Sequence, residues 1–252
     1  MIHHPAAPRS ITHIIYDLDG LLLDTESINI AVSQHIATRY QRPFDPKVQS
    51  LVLGRDAMAS AEILVEALDL PITPAEFLRQ RRSLINTWKP RAEPMPGARE
   101  LSEHLHRQGI GQAIATSSTQ GPFNQKSAHH PDWFALFDVI VLRDDPEVKA
   151  SKPAPDSFLV AAQRLGAKPE HCLVFEDSIA GVKAARSAGM AVIAVLGPHA
   201  NTEDYREADL ILRSLVDFDP APWNLPTFAK ARNLAPTVLE AAEVSPVELT
   251  AS

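Results

Sequence analysis

The chain has 252 residues, of which 45% are hydrophobic and 22% are charged, and its 31 acidic and 24 basic side chains give a net charge of −7. This length fits one large α/β domain or a core that carries a smaller insertion. The acidic balance argues against a nucleic-acid partner, and no apolar run approaches the roughly 20 residues of a membrane-spanning helix. Because there is one cysteine, Cys172, and no recognisable secretory signal, we expect a cytoplasmic protein.

In chain order, the first predicted element is a strand in "ITHIIYD", which ends at two nearby acids, Asp17 and Asp19. A long interval follows in which apolar residues recur with helical spacing in three segments and no strand pattern is convincing. We predict that residues 27–93 form a small α-helical cap inserted into a core of residues 1–26 and 94–226. The chain would return to the core through "EPMPG", and residues 227–252 form a C-terminal tail with no assigned role.

Further strand patterns then alternate with helical patterns up to about residue 214. Their apolar residues are nearly continuous rather than alternating, which indicates strands that are covered on both faces, as in a parallel sheet. Helical segments at 155–165 and 178–188 end at Gly166 and Gly189, as helices commonly do. This alternation predicts an α/β fold with a doubly wound, Rossmann-like parallel-sheet core.

Polar residues end four of the predicted strands. In open parallel sheets, ligands bind beyond the carboxyl ends of the strands, so these residues are candidates for a site. They are Asp17 and Asp19 after the first strand, Thr116 after the second, Lys152 after the third, and Glu176 and Asp177 after the fourth.

The first two acids suggest a division of roles. Residues two apart in a strand face the same side, so Asp17 and Asp19 are expected to share one space. One ionised carboxylate can act as a nucleophile, while like charge and burial push its neighbour, here Asp19, towards the neutral form that donates a proton.

The charges of the candidate site favour a bound cation. Four carboxylates against Lys152 alone leave a net charge of −3, which would repel a phosphate group. With Asp19 neutral, one divalent cation cancels the remainder, and oxygen ligands favour Mg²⁺. Asp17, Asp19, Glu176 and Asp177 are therefore the predicted metal ligands.

Three further residues complete the predicted substrate site. The Thr116 hydroxyl can bind a phosphoryl oxygen, assisted by backbone N–H groups near Ser117, while Lys152 neutralises the charge of the transferred group. Arg55, in "LVLGRDA" of the predicted cap, is a candidate for binding the rest of the substrate, although such residues usually face solvent. The adjacent histidine pairs at 3–4 and 129–130 lack the helical spacing of metal ligands and are interpreted as loop residues.

These residues resemble the motifs of the haloacid dehalogenase (HAD) superfamily, in which "DLDG", "ATSS", "SKPAPD" and "FED" occur in this order. The resemblance extends to about Pro226 and includes a helical cap directly after the first motif. It implies that Asp17 is the nucleophile that forms an aspartyl-phosphate and that Asp19 is the general acid and base. It also implies that Asp17, Asp177 and the Asp19 carbonyl bind Mg²⁺, with Glu176 nearby.

Within the superfamily, the segments "DLDGLLLDTE", "LRDDPEV" and "LVFEDSIAGVKAA" are most similar to the branch of pseudouridine-5′-phosphatases and plant-type glycerol-3-phosphate phosphatases. The resemblance implies a phosphatase of small phosphorylated metabolites, expected as a monomer with a dimer left open. A phosphotransferase like β-phosphoglucomutase and a non-catalytic phosphometabolite-binding protein remain alternatives. The first is weakened because such mutases have histidine where this chain has Asn29.

Overall fold

The computed structural model describes residues 10–52, 57–88, 91–197 and 200–228. Within them one sheet contains six strands, all of them parallel, in the order β3-β2-β1-β4-β5-β6. This order is that of a doubly wound fold, so the predicted fold class is confirmed. The strands are β1 (His13–Tyr16), β2 (Gly111–Ala115), β3 (Val139–Val141), β4 (Cys172–Glu176), β5 (Ala191–Val195) and β6 (Leu210–Leu212).

Helices cover both faces of this sheet, which explains the nearly continuous apolar runs. Along β1, Ile14 and Tyr16 pack into one hydrophobic cluster, and Ile15 packs into a second cluster on the opposite face. Leu101 lies in the first cluster and Phe158 in the second. The covering helices are α5 (Ala98–Arg107), α6 (Gln120–Ser127), α7 (Pro131–Phe134), α8 (Asp156–Leu165) and α9 (Ile179–Ser187).

The segment between β1 and α5 is helical in its described parts. All three predicted helical segments are present, and a fourth helix, α2 (Pro46–Ser50), was not predicted. Asp45 caps α2 by accepting a hydrogen bond from the Val48 N–H at 2.9 Å, and Pro46 starts it, so a local cap rather than an apolar pattern defines this turn. These helices are α1 (Glu26–Arg39), α2 (Pro46–Ser50), α3 (Ala57–Ala67) and α4 (Pro74–Trp88).

The inserted helices have a hydrophobic cluster of their own. Val32 and Ile36 of α1, Leu64 of α3 and Phe77 of α4 are buried together in it. A separate cluster is what a small domain needs in order to hold its shape. We therefore propose that residues 27–93 are a cap domain on a core of residues 1–26 and 94–226.

The two chain segments that join the cap to the core run side by side. The Asp24 N–H donates to the Glu93 carbonyl at 2.8 Å, and the Met95 N–H donates to the Leu22 carbonyl at 2.8 Å. Leu23 and Pro94 form an antiparallel bridge between these two bonds. The insertion therefore leaves the core and returns to it at one place.

The end of the core packs on α5. Trp223 and Leu225 are buried, and the His104 ring stacks on Phe228 with 4.3 Å between ring centroids. Residues 229–252 of the predicted tail lie outside the described residues. No helix in the described ranges is both long and apolar enough to cross a membrane.

Candidate active site

The strand order brings the predicted site residues to one edge of the sheet. β1 and β4 are neighbours at the point where the winding of the sheet reverses, the position where doubly wound folds bind ligands. The Asp17 N–H donates to the Phe175 carbonyl at 3.0 Å, so Asp17 after β1 lies beside Glu176 at the end of β4. Thr116 follows β2, the neighbour of β1 on its other side.

Lys152 contacts the carboxyl ends of three of these strands. Its ammonium lies 2.5 Å from Asp17 Oδ1, 2.5 Å from Glu176 Oε1 and 3.0 Å from the Ala115 carbonyl oxygen. The same group stands 4.7 Å from the centre of the Phe158 ring, where a cation–π contact adds to the attraction. Burial alone would lower the pKa of Lys152, but the two carboxylates outweigh it and raise that pKa, so the side chain is charged.

Glu176 is fully buried, and four donors engage its carboxylate. Besides Lys152, these are the Ser178 hydroxyl at 2.9 Å, the Ser178 N–H at 3.0 Å and the Asp177 N–H at 3.1 Å, all of them on Oε2. A Cβ on Gly181 would lie 1.8 Å from the Glu176 carboxyl carbon, so a larger residue would displace it. This arrangement fixes the Lys152 ammonium in place.

Asp19 has a separate cation that the sequence analysis did not identify. Lys126 of α6 lies 2.5 and 2.7 Å from the two carboxylate oxygens of Asp19. The Ser118 hydroxyl donates to Asp19 Oδ2 at 2.8 Å, and the Thr116 hydroxyl is 3.5 Å from the same oxygen. The apolar spacing of α6 gives no signal for Lys126, because only Phe123 of that helix is buried.

These contacts shift the pKa values of the two aspartates in opposite directions. Burial raises the pKa of Asp17 to about 7, with Lys152 opposing and Glu176 and Asp19 adding to the rise. Burial also acts on Asp19, but Lys126, with hydrogen bonds from Ser118 and Thr25, outweighs it and lowers that pKa. The prediction that Asp19 is pushed towards its neutral form was wrong in this arrangement, because the charge count omitted Lys126.

The turn after β1 brings Asp177 to the same site. Gly20 has φ +86°, and a Cβ on it would lie 2.3 Å from Asp177 Oδ2, so this turn needs glycine both for its backbone and for its space. Burial raises the pKa of Asp177 well above its ordinary value, and Asp17 and Glu176 add to the effect. Within the described ranges Asp177 makes no ion pair.

The donor set fits a magnesium ion. No three His, Cys, Asp or Glu side chains of the described chain form a closed metal cage. Mg²⁺ usually binds through one or two carboxylates and completes its shell with water and phosphate oxygens. The carboxylates of Asp17 and Asp177, of which Asp17 raises the pKa of Asp177, meet that requirement better than Glu176, whose oxygens are already engaged.

The inserted helices begin and meet one another near this site. Thr25, just before α1, is buried, and its N–H donates at 2.9 Å to the carbonyl of Leu23, which pairs with Asp19. Within the insertion, Arg81 Nη2 of α4 donates to Asn29 Oδ1 of α1 at 2.5 Å. Gln125 Nε2 of α6 donates to Asn86 Oδ1 of α4 at 3.1 Å. Arg81 comes four residues after the buried Phe77, so a charge on the inward stripe of the helix was the sequence signal for it.

Two predicted substrate residues remain to be placed. Ser117 is exposed, and the neighbouring Ser118 makes the contact with Asp19. Arg55 lies outside the described residues.

A cluster of paired acids and lysines at the carboxyl edge of a doubly wound sheet defines a hydrolase site of the haloacid dehalogenase kind. Residues 14–195 match the family model described as haloacid dehalogenase-like hydrolase, and the chain belongs to that family. It is an enzyme of the phosphatase class within it, and its similarity to named relatives agrees with the suspected branch.

Two curated relatives illustrate this similarity. The chain is 42% identical to (DL)-glycerol-3-phosphatase 2 of Arabidopsis thaliana over 87% of this chain and 93% of that protein. It is 41% identical to a Drosophila melanogaster protein named "Probable pseudouridine-5′-phosphatase", over 87% of this chain and 96% of that one. A solved HAD family hydrolase from Deinococcus radiodurans, with bound phosphate and sodium, has the same fold, with a TM-score of 0.74 at 24% identity over 87% and 100% of the two chains.

Proposed function

We propose that this protein is a Mg²⁺-dependent phosphatase that hydrolyses a small phosphate monoester through an aspartyl-phosphate on Asp17. The observation that carries the proposal is that Asp17 and Asp19 lie in one buried site, each with its own lysine. Two carboxylates with different partners can perform two different tasks. Binding alone would not require this pair.

In the first step, an Asp17 carboxylate oxygen attacks phosphorus. The negative charge of the bound ester opposes the ionisation of Asp19, so that Asp19 enters this step protonated. The bond from phosphorus to the alcohol oxygen breaks, and Asp19 gives that oxygen its proton. Lys152, held by Glu176, faces the attacking carboxylate and neutralises charge on it and on the transferred group. The Thr116 hydroxyl holds a phosphoryl oxygen beside Asp19.

In the second step, Asp19 accepts a proton from a water molecule whose oxygen attacks the phosphorus of the aspartyl-phosphate. The bond to Asp17 breaks and inorganic phosphate leaves, which restores both carboxyl groups to their starting forms. Because Asp19 gives one proton and takes one proton, the cycle balances.

Asp17, Asp177 and the Asp19 carbonyl are the residues that would hold Mg²⁺. When bound, the ion supplies positive charge to the phosphoryl oxygens and offsets the two buried carboxylates. Glu176 holds Lys152 in position and is not required as a direct ligand of Mg²⁺.

The substrate is a small phosphorylated metabolite. The names of the two relatives given above make glycerol 3-phosphate and pseudouridine 5′-phosphate the first candidates. We propose that the cap, through α1 and α4, surrounds the organic part of the ester and excludes bulk water. A lone thiol, Cys172, also supports the cytoplasmic location that we propose.

The test is phosphate release from p-nitrophenyl phosphate, glycerol 3-phosphate, pseudouridine 5′-phosphate and β-glucose 1-phosphate, with and without Mg²⁺. We expect turnover that EDTA abolishes and that Asp17→Asn lowers by at least about 10³-fold, because the nucleophile is lost. Formation of glucose 6-phosphate would favour a mutase instead. If the native protein releases phosphate from no ester, the proposed function is wrong.

A further inference from the structure

The position of Asp19 indicates where the organic part of the substrate must lie, and this inference rests on the proposed function. Asp19 protonates the ester oxygen, so the carbon attached to that oxygen extends away from phosphorus on the Asp19 side of the site. The part of the cap that contacts Asp19 is therefore in position to contact the alcohol.

The chain enters the cap at Thr25, a buried residue whose N–H donates at 2.9 Å to the carbonyl of Leu23, and Leu23 pairs with Asp19. Asn29 follows one turn later on α1, and its N–H donates to the Thr25 carbonyl at 3.1 Å. Residues four apart in a helix share a face, so Asn29 lies on the same face as Thr25, one turn further along the chain. Arg81 of α4 reaches the same point and donates to Asn29 Oδ1 at 2.5 Å.

Arg81 differs from the other arginines of its helix. Arg79 is exposed and paired with Glu76, and Arg82 is exposed. Arg81 is partly buried, and within the described ranges its hydrogen-bond partner is the neutral amide of Asn29 rather than a carboxylate. Burial lowers its pKa, and the charge of Asp19 opposes that change, which agrees with a position that faces the site.

The pair has hydrogen-bond donors left over. A guanidinium carries five N–H groups, and the Asn29 amide nitrogen carries two more, while the contact between the two side chains uses one. No nitrogen of either side chain is among the fully buried atoms that lack a partner in the described chain. The remaining donors therefore reach open space, where they can meet oxygen atoms of a ligand.

We propose that Asn29 and Arg81 form the subsite that recognises hydroxyl groups of the leaving alcohol, so that the enzyme selects phosphate esters of small polyols. A cluster of N–H donors can form hydrogen bonds with hydroxyl oxygens, whereas an alkyl chain has no acceptor for them.

The experiment compares esters that differ only in their hydroxyl groups. We measure kcat and KM for glycerol 3-phosphate and for n-propyl phosphate, which has the same carbon chain without hydroxyls, with ribose 5-phosphate as a second polyol ester and 2-phosphoglycolate as an anionic one. The proteins are the native enzyme, Arg81→Ala, Asn29→Ala and the matched control Arg82→Ala, which removes an exposed arginine from the same helix.

We expect the native enzyme to prefer a polyol ester over n-propyl phosphate. Arg81→Ala should lower kcat/KM for that polyol ester by roughly 10- to 100-fold, the worth of a hydrogen bond from a charged donor. It should change kcat/KM for n-propyl phosphate by less than about threefold, and Asn29→Ala should act in the same direction. Arg82→Ala should leave both substrates unchanged.

Three results would overturn the inference while the proposed function stands. The first is an equal loss on both esters in Arg81→Ala, which would indicate a structural effect. The second is a native enzyme with no preference for either polyol ester. The third is a loss that is largest for 2-phosphoglycolate, which would make Arg81 an anion site. A native enzyme inactive even on p-nitrophenyl phosphate would overturn both proposals.

Discussion

The two aspartates of the site have different cations, and this difference follows from the elements on which the lysines lie. Lys152 comes from the loop between β3 and α8 and contacts Asp17, whereas Lys126 comes from α6 and contacts Asp19. Each ammonium is mostly buried, with 6% and 16% of the respective side chains exposed, so neither pair is an ordinary surface salt bridge. Removing one lysine should therefore affect one task of the site more than the other.

Lys126→Met tests this separation. We expect kcat for glycerol 3-phosphate to fall roughly 10²-fold, because Asp19 loses the group that holds both of its oxygens and proton transfer is worth about that much. The loss should be smaller for p-nitrophenyl phosphate, whose leaving group departs without a proton, and Lys126→Arg should recover part of it.

The matched control is Lys183→Met, which removes an exposed lysine from α9. It should keep native kcat values on both esters. Equal losses on the two esters in Lys126→Met, at unchanged thermal stability, would contradict a role through Asp19.

Cys172 is a second residue whose surroundings determine its behaviour. Burial in β4 raises the pKa of its thiol to about 11. At pH 8 the side chain is therefore neutral and unreactive, since the thiolate is the reacting form. We expect Ellman's reagent to modify no thiol in the folded protein at pH 8 and one thiol per chain in urea. Rapid modification of the folded protein would show that β4 opens.

At the scale of elements, the turn after β1 combines a backbone requirement with a spatial one. Gly20→Ala should cost about 1–2 kcal/mol for the positive φ and, in addition, displace Asp177 from the site. We expect a loss of activity of at least about tenfold with a higher Mg²⁺ concentration needed for half-maximal rate. Activity against Mg²⁺ concentration and urea denaturation measure the two effects.

Gly109→Ala provides the control, because Gly109 has φ +72° but nothing lies within 4 Å of its added Cβ. It should show the backbone cost alone, with the native Mg²⁺ dependence. If Gly20→Ala changes only stability, the contact between this turn and Asp177 has no part in metal binding.

Elements differed in how well the sequence predicted them. The strands were found because burial on both faces leaves continuous apolar runs, as in β4, where all five residues are buried. Helix α2 was missed because it depends on one cap at Asp45 rather than on apolar spacing. Lys126 was missed for a related reason: a side chain that reaches across to another element leaves no periodic pattern, and only the docking of α6 brings it to Asp19.

At the scale of the whole molecule, the cap and the core have separate hydrophobic clusters. Phe77 is almost fully buried in the cap cluster, so Phe77→Ala should cost about 3–5 kcal/mol of local stability. We expect hydrogen exchange to accelerate in α1, α3 and α4 while β1, β4 and β5 keep native protection. A matched variant, Leu101→Ala in the core cluster, should accelerate exchange in the sheet. Uniform acceleration by both variants would mean that the chain unfolds as one unit.

The separation of clusters also explains what the sequence predicted about the site. The acids were placed correctly at the edge of the sheet, because strand ends in a parallel sheet meet there, as the pairing of β1 with β4 confirms. Asn29 and Arg81 lie on two helices that share the cap cluster, and their contact depends on how α1 packs against α4. The pattern of one helix alone does not encode that packing.

The paired segments at Leu22–Asp24 and Glu93–Met95 have a consequence for how such a protein can change over time. The two ends of the insertion are joined by a hydrogen bond of 2.8 Å between the Asp24 nitrogen and the Glu93 oxygen. Because these ends are adjacent, the path of the chain through the sheet does not depend on the length or structure of the insertion. A shorter, longer or unrelated insert with adjacent ends would leave the strand register intact. The proposed nucleophile and the proposed alcohol subsite thus lie on two parts of the chain that evolution can replace separately.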